Sequence, residues 1–121
     1  MNRLLFIVLS FVAAAAFFGH TVYADPAVTD MKSSSASEQT VTIQNFKFDS
    51  ANLVVSVGTK VTWVNQDSTV HTVASSDKSF PQSSGLDTGD KYSYVFTKPG
   101  TYAYYCTLHP FMTGKIVVKG N

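Results

Sequence analysis

Near the C-terminus, Cys106, His109 and Met112 follow one another at intervals of three residues in the stretch Tyr105-Cys106-Thr107-Leu108-His109-Pro110-Phe111-Met112. Thiolate, imidazole and thioether are soft or borderline donors, and together they favour copper over zinc, magnesium or calcium. Cys106 is the only cysteine in the chain. There are three histidines and three methionines, but His20 and Met1 fall in an apolar leader and Met31 in a serine-rich stretch. The ligands left for a folded domain are therefore His71, Cys106, His109 and Met112. Two imidazoles, one thiolate and one weak thioether suit a single copper ion held by three strong donors and one weak one.

These side chains need a scaffold that brings them to one point, and the sequence reads as strands. Val41, Ile43 and the pair Phe46/Phe48 alternate with polar neighbours; 52–57 and 60–65 are β-branched runs divided by the turn signal Gly58-Thr59. Residues 91–97 alternate strictly, with Tyr92, Tyr94 and Phe96 on one face, before Lys98-Pro99-Gly100 forces a turn. Further strands are expected from Thr101 to Cys106 and from Lys115 to Lys119. No stretch keeps helical periodicity over three turns. Short strands at regular spacing with glycine-containing turns predict an all-β fold, a Greek-key β-sandwich. In the strand from Thr101, Tyr102, Tyr104 and Cys106 share a face by the period of two, which aims the thiol inward. Residues 107–112 then form a tight loop beyond the strand end. His71 arrives from 35 residues upstream of Cys106, just after the strand 60–65. Trp63, in the middle of that strand, is read as core.

Three parts divide the chain. Arg3, the apolar run Leu4 to Phe18 and the small residues Val22 and Ala24 at positions −3 and −1 mark residues 1–24 as a secretory signal cleaved after Ala24. The apolar run is shorter than the roughly 18 to 20 residues that span a bilayer, so no stable membrane anchor is expected in the mature form. Residues 25–39, with Ser33-Ser34-Ser35, read as a flexible tail, and 40–121 as one small domain that a bound metal would help hold together. In an oxidising compartment a lone cysteine has no disulfide partner, which leaves Cys106 to a metal or to burial. Loss of Arg3 from nine basic residues leaves eight lysines against eight acidic residues. This even, scattered charge gives no footprint for nucleic acid and no polybasic membrane patch.

With those residues in place, the chain resembles the cupredoxins, the type 1 or blue copper proteins, and within them the amicyanin-like and plastocyanin-like members. Val61-Thr62-Trp63-Val64-Asn65 with His71-Thr72-Val73, then Phe96 to Tyr102, then Cys106 to Lys115 carry the resemblance, which spans about Thr40 to Lys119. It implies one copper ion held by His71, Cys106, His109 and Met112 and cycling between Cu(II) and Cu(I) to carry single electrons. It also implies an electron port at the edge of His109, with Leu108, Pro110 and Phe111 as an apolar docking patch. The partner would be a redox protein such as a c-type cytochrome, a dehydrogenase or an oxidase, met by a monomer in the periplasm. Two positions depart from the pattern: Thr72 stands where many members carry a bracing Asn, and Leu108 where amicyanins carry Pro. The brace at Thr72 must then come from a hydroxyl or the backbone.

Other readings compete. Periplasmic copper delivery or buffering would use the same ion, but such carriers are often Met-rich, and Met112 is the only methionine of the expected domain. A copper enzyme needs further histidines, and none is left once His71 and His109 are assigned. No activated nucleophile or suggestive carboxylate pair offers another catalytic site, so an enzyme is not expected. A metal-free adhesion sandwich leaves the converging ligands unexplained.

Overall fold

A computed structural model describes residues 36–121. The expected signal segment 1–24 and tail residues 25–35 lie outside the described residues, as do Met1, His20 and Met31. Eight strands follow in order: β1 (Glu38–Gln44), β2 (Lys47–Phe48), β3 (Asn52–Ser56), β4 (Thr59–Asn65), β5 (Ala74–Ser75), β6 (Lys91–Phe96), β7 (Gly100–Tyr105) and β8 (Thr113–Lys119). They build two four-stranded sheets, ordered β2-β1-β4-β6 and β3-β8-β7-β5. The chain passes repeatedly from one sheet to the other, so β1 pairs in parallel with β4 and β3 in parallel with β8. The all-β sandwich expected from the spacing of strands and turns is the fold observed.

Alternation explains how the sheets meet. Val41, Ile43, Val61, Trp63 and Phe96 point inward from one sheet, and Val55, Tyr104, Ile116 and Val118 from the other. Trp63 and Tyr104 meet edge to face across the gap, with ring centroids 5.4 Å apart. Such contacts leave little room beneath them. A Cβ on Gly114, in β8, would lie 2.9 Å from Cε1 of Tyr104, so only glycine lets β8 pass under that buried ring.

Three local features differ from the sequence expectation. The strand β1 begins at Glu38, inside the segment expected as tail, because Glu38 and Gln39 pair with Lys60 and Val61 through the backbone. Side chains anchor the same end: Ser37 Oγ lies 2.6 Å from Thr59 Oγ1, and Thr62 Oγ1 donates to Glu38 Oε1 at 3.2 Å. The second difference is β5, only two residues long, which no periodicity could mark. The third is Phe46. Instead of continuing an alternating strand it sits in a two-residue hairpin loop between β1 and β2, where Ile43 pairs with Phe48 and Gln44 with Lys47. Asn45 and Phe46 both take left-handed backbone angles, φ of 54° and 56°, as the twist of a tight hairpin demands. The Phe46 ring is thereby turned out of the sandwich core to one end of the sheets.

Candidate metal centre

That end of the sandwich gathers the ligands, and each arrives for a local reason. His71 follows a loop that starts at Asn65, the last residue of β4. The buried Asn65 amide donates to Thr69 O (2.9 Å) and Leu86 O (2.7 Å), and its Oδ1 accepts the Asp67 N–H at 2.9 Å. These bonds fold 66–70 into a compact loop, and an isolated bridge between His71 and Leu86 pins its far end. Cys106 comes directly after β7, its thiol inward as the alternation through Tyr102 and Tyr104 requires. The loop from Cys106 to Met112 closes on itself: the Cys106 N–H donates to Met112 O at 3.1 Å, and the Met112 N–H to His109 O at 2.9 Å. Those two bonds turn the Cys-x₂-His-x₂-Met spacing into a shape.

The outcome is convergence. The ligand atoms of His71, Cys106 and His109 all lie within 4.8 Å of one another. Cys106 Sγ stands 3.8 Å from Nδ1 of His71 and 3.8 Å from Nδ1 of His109. His71, Cys106 and Met112 are buried, while His109 is half-buried and reaches the surface. Burial pushes the Cys106 thiol up. The Thr72 N–H, 3.3 Å from Sγ, leads the hydrogen bonds that outweigh it, and the thiol comes down to about 6. A thiolate is then the dominant form at neutral pH, as a metal ligand must be. Two imidazole nitrogens facing a thiolate, with a buried thioether at the other end of the same short loop, form a donor set that suits one copper ion.

Two residues that the sequence reading passed over shape this centre. Asp67 Oδ2 lies 2.8 Å from Nε2 of His71. A carboxylate there fixes the proton on Nε2 and leaves the Nδ1 lone pair facing Cys106, the usual outer support of a metal-bound imidazole. The same carboxylate accepts the N–H of Asn45 (2.7 Å) and of Phe46 (3.0 Å). Burial works to raise the Asp67 carboxyl, yet the Phe46 and Asn45 amides and His71 more than offset it and hold it below its usual value. The hairpin so clamped presents the second missed residue. Phe46 packs edge to face on both imidazoles, 5.3 Å from His71 and 5.1 Å from His109 between centroids. No motif signals either one, since Phe46 meets the imidazoles, and Asp67 the hairpin, across more than 20 residues of sequence. Asp67 carried a faint hint in lying four residues before His71.

The remaining predicted positions fall around the same point. Thr72 supplies the expected brace through its hydroxyl: Oγ1 accepts the Thr107 N–H at 2.8 Å and lies 2.8 Å from Thr107 Oγ1, tying the His71 segment to the ligand loop. Leu108, Pro110 and Phe111 are exposed, Phe111 at 72% and Leu108 at 55%, and the Phe111 ring lies 6.1 Å from that of His109. With Phe46, 40% exposed, they surround His109 with apolar surface.

Comparison with known proteins agrees with this geometry. A family model described as a cupredoxin-like domain matches residues 4–118. The chain belongs to the cupredoxin-like family. This cupredoxin is 36% identical over 119 residues to amicyanin-alpha of Methylorubrum extorquens, covering 92% of this chain and 98% of the relative. It is also 36% identical over 115 residues to amicyanin of Paracoccus denitrificans, covering 87% and 88% respectively. Among solved structures, a mutant amicyanin in its reduced Cu(I) form superposes with a TM-score of 0.64 at 37% identity, over 66% of this chain and 80% of that one. A purple cupredoxin from Nitrosopumilus maritimus gives 0.62 at 33% identity, over 66% and 98%.

Proposed function

We propose that this cupredoxin is an exported one-electron carrier that holds a single copper ion on His71, Cys106, His109 and Met112. The observation that carries the reading is the convergence of two imidazole Nδ1 atoms and a buried thiolate within 4.8 Å, in a chain similar to amicyanins over most of its length. Bound copper would supply a Cu(II)/Cu(I) couple. The chain's own residues do the rest. Asp67 holds the His71 tautomer, the Thr72 N–H supports the thiolate, and the closed loop 106–112 keeps His109 and Met112 at set positions. Sites that rearrange little between oxidation states suit electron transfer, and backbone bonds within the loop and across to Thr72 oppose rearrangement.

His109 is the one ligand among the four that reaches the surface, so electrons would pass at its edge. Leu108, Pro110, Phe111 and Phe46 around it form the docking patch for a redox protein: a c-type cytochrome, a dehydrogenase or an oxidase. Small apolar contacts of this kind suit brief redox encounters. A role as an electron carrier rather than an enzyme is supported by the sequence, which has no third histidine beyond the leader for a catalytic copper. Periplasmic placement rests on the leader, read as a signal cleaved after Ala24.

The test is direct. Residues 25–121 loaded with Cu(II) should show an intense visible thiolate-to-copper band and a reversible one-electron couple, and Cys106→Ser should abolish the band. A colourless copper complex of the unaltered chain overturns the reading. Rapid handover of copper to an acceptor apoprotein, without a reversible couple, would point to copper delivery instead.

A further inference from the structure

Thr72 occupies the position at which the resemblance leads one to expect an amide side chain, and its hydroxyl meets three partners. Thr107 N lies 2.8 Å from Thr72 Oγ1, Thr107 Oγ1 lies 2.8 Å away and Cys106 Sγ 3.7 Å away. A hydroxyl has one proton and two lone pairs. The Thr107 N–H can only donate, so it takes one lone pair. Two arrangements remain. In the first, Thr72 gives its proton to Thr107 Oγ1, and the sulfur keeps backbone donors alone, the Thr72 N–H at 3.3 Å and the weaker His109 N–H. In the second, Thr107 Oγ1 donates to Thr72, and the Thr72 proton goes to the sulfur.

The chemistry of the acceptors chooses between them. Thr107 Oγ1 is a neutral oxygen on a half-buried residue, whereas Cys106 Sγ is fully buried and serves as a thiolate. Hydrogen bonds to a charged acceptor are about twice as strong as those between neutral groups. The sulfur's other close neighbours, Nδ1 of His71 and of His109, turn lone pairs rather than protons toward a metal. Thr72, itself 5% exposed, is thus the residue that can satisfy the sulfur twice.

We propose that the Thr72 hydroxyl donates a hydrogen bond to Cys106 Sγ, beside that of its own N–H, and raises the reduction potential of the site. The inference rests on the copper electron-carrier reading and adds to it a residue that sets the potential. No covalent bond forms or breaks: one electron arrives from the redox partner, and the proton stays on Thr72 Oγ1. A hydrogen bond to the sulfur withdraws electron density that the thiolate would otherwise give to the metal. The oxidised state depends more on that donation, so the bond favours the reduced state.

The experiment uses copper-loaded protein and three variants: Thr72→Val, which keeps shape and the backbone N–H, Thr72→Ser, and Thr107→Ala. Thr72→Val should lower the potential, moving the oxidised-to-reduced ratio at fixed solution potential by about tenfold, or ~59 mV for a one-electron couple. Its thiolate charge-transfer band should move to longer wavelength, and the shift of the copper–sulfur vibration in heavy water should shrink. A purely structural brace would not move that isotope shift. Thr72→Ser should keep the potential, band and isotope shift of the unaltered protein. Thr107→Ala should leave the potential in place, because the Thr72 proton is already on the sulfur. Wild-type potential and isotope shift in Thr72→Val overturn the proposal. So does a rise in potential in Thr107→Ala, which would mean that the proton had rested on Thr107; this outcome decides even if Thr72→Val fails to fold. An unaltered protein with a normal band and couple but an indifferent Thr72 refutes this inference alone. An unaltered protein without the band refutes the reading beneath it as well.

Discussion

The Asp67 carboxylate links a strained turn to a ligand, and the strength of that link can be worked out from the structure. Asn45 and Phe46 both sit in the left-handed region, at φ of 54° and 56°, which costs about 1–2 kcal/mol per residue without glycine. The carboxylate offsets this through the Asn45 and Phe46 amides at 2.7 and 3.0 Å, while it also holds His71 Nε2 at 2.8 Å. Hydrogen bonds to a charged group contribute about 1.5–3 kcal/mol each. Asp67→Ala removes all three, but water replaces part of the loss at the exposed hairpin, so the expected destabilisation is about 2–3 kcal/mol. With a urea dependence of about 1 kcal/mol/M for a domain this small, the midpoint of metal-free protein should fall by ~2–3 M. A double-mutant cycle then isolates the turn. Once Asp67 is gone the original turn can recover its left-handed strain by relaxing, whereas Phe46→Gly leaves none at that residue to recover, so Asp67→Ala should cost about 1 kcal/mol more in the glycine background than in the original. An Asp67→Ala midpoint indistinguishable from the unaltered protein, or an equal loss in both backgrounds, would refute the clamp.

Gly114→Ala places a Cβ against the buried Tyr104 ring and should cost about 1–3 kcal/mol in urea unfolding; a smaller loss in the double variant with Tyr104→Ala would trace the clash to that ring. The metal-free protein should gain stability as pH rises from about 6 to 9, because the Cys106 thiol titrates near 9.0 when unfolded and about 6 when folded. That contribution is complete above the unfolded value and is lost as pH falls through the folded one; urea midpoints across this range should rise in the unaltered protein more than in Cys106→Ala. Phe111→Ser, at the most exposed apolar residue of the proposed patch, should slow electron exchange with a soluble c-type cytochrome about tenfold while leaving the potential unchanged. An unchanged rate would remove Phe111 from the docking surface.

What could be read from the sequence was whatever has a short period or a rare side chain. The alternation of Tyr92, Tyr94 and Phe96 announced β6, and that of Tyr102, Tyr104 and Cys106 announced both β7 and the inward thiol. The single cysteine and the exhausted supply of histidines picked out His71, Cys106, His109 and Met112 without any coordinates. What stayed hidden is held by contacts between distant residues. Phe46 looked like the next inward position of a strand, since a tight hairpin is usually signalled by Asn-Gly or Asp-Gly, and here the pair is Asn45-Phe46. Only the Asp67 carboxylate, 21 residues beyond Phe46, makes that turn tenable. Asp67 in turn was passed over because its partners come from two separate segments. The two-residue strand β5 exists through its pairing with Tyr104 and Tyr105, and nothing within Ala74-Ser75 encodes it.

The hidden contacts also explain why a donor set can be held in readiness inside a small sandwich. Two imidazole lone pairs and a thiolate brought within 4.8 Å repel one another when no cation lies between them. Relaxation would be easy if the ligands hung on free loops. Here each escape is opposed by a bond that does not involve a metal: Asp67 fixes the outer nitrogen of His71, Thr72 bonds to both the sulfur and Thr107, and the 106–112 loop is closed through its own backbone. The fold therefore bears the repulsion in advance, and a cation of suitable softness relieves it on entering. His109 differs from the two buried strong donors in the neighbours of its ring, which packs on the rings of Phe46, Phe111 and His71 and, among the described residues, has the sulfur as its polar partner. The ligand with the least polar restraint is thus also the one at the surface, where an electron must cross. Rigidity is concentrated on the buried side of the site, and apolar, exchangeable contact on the side that a partner would meet.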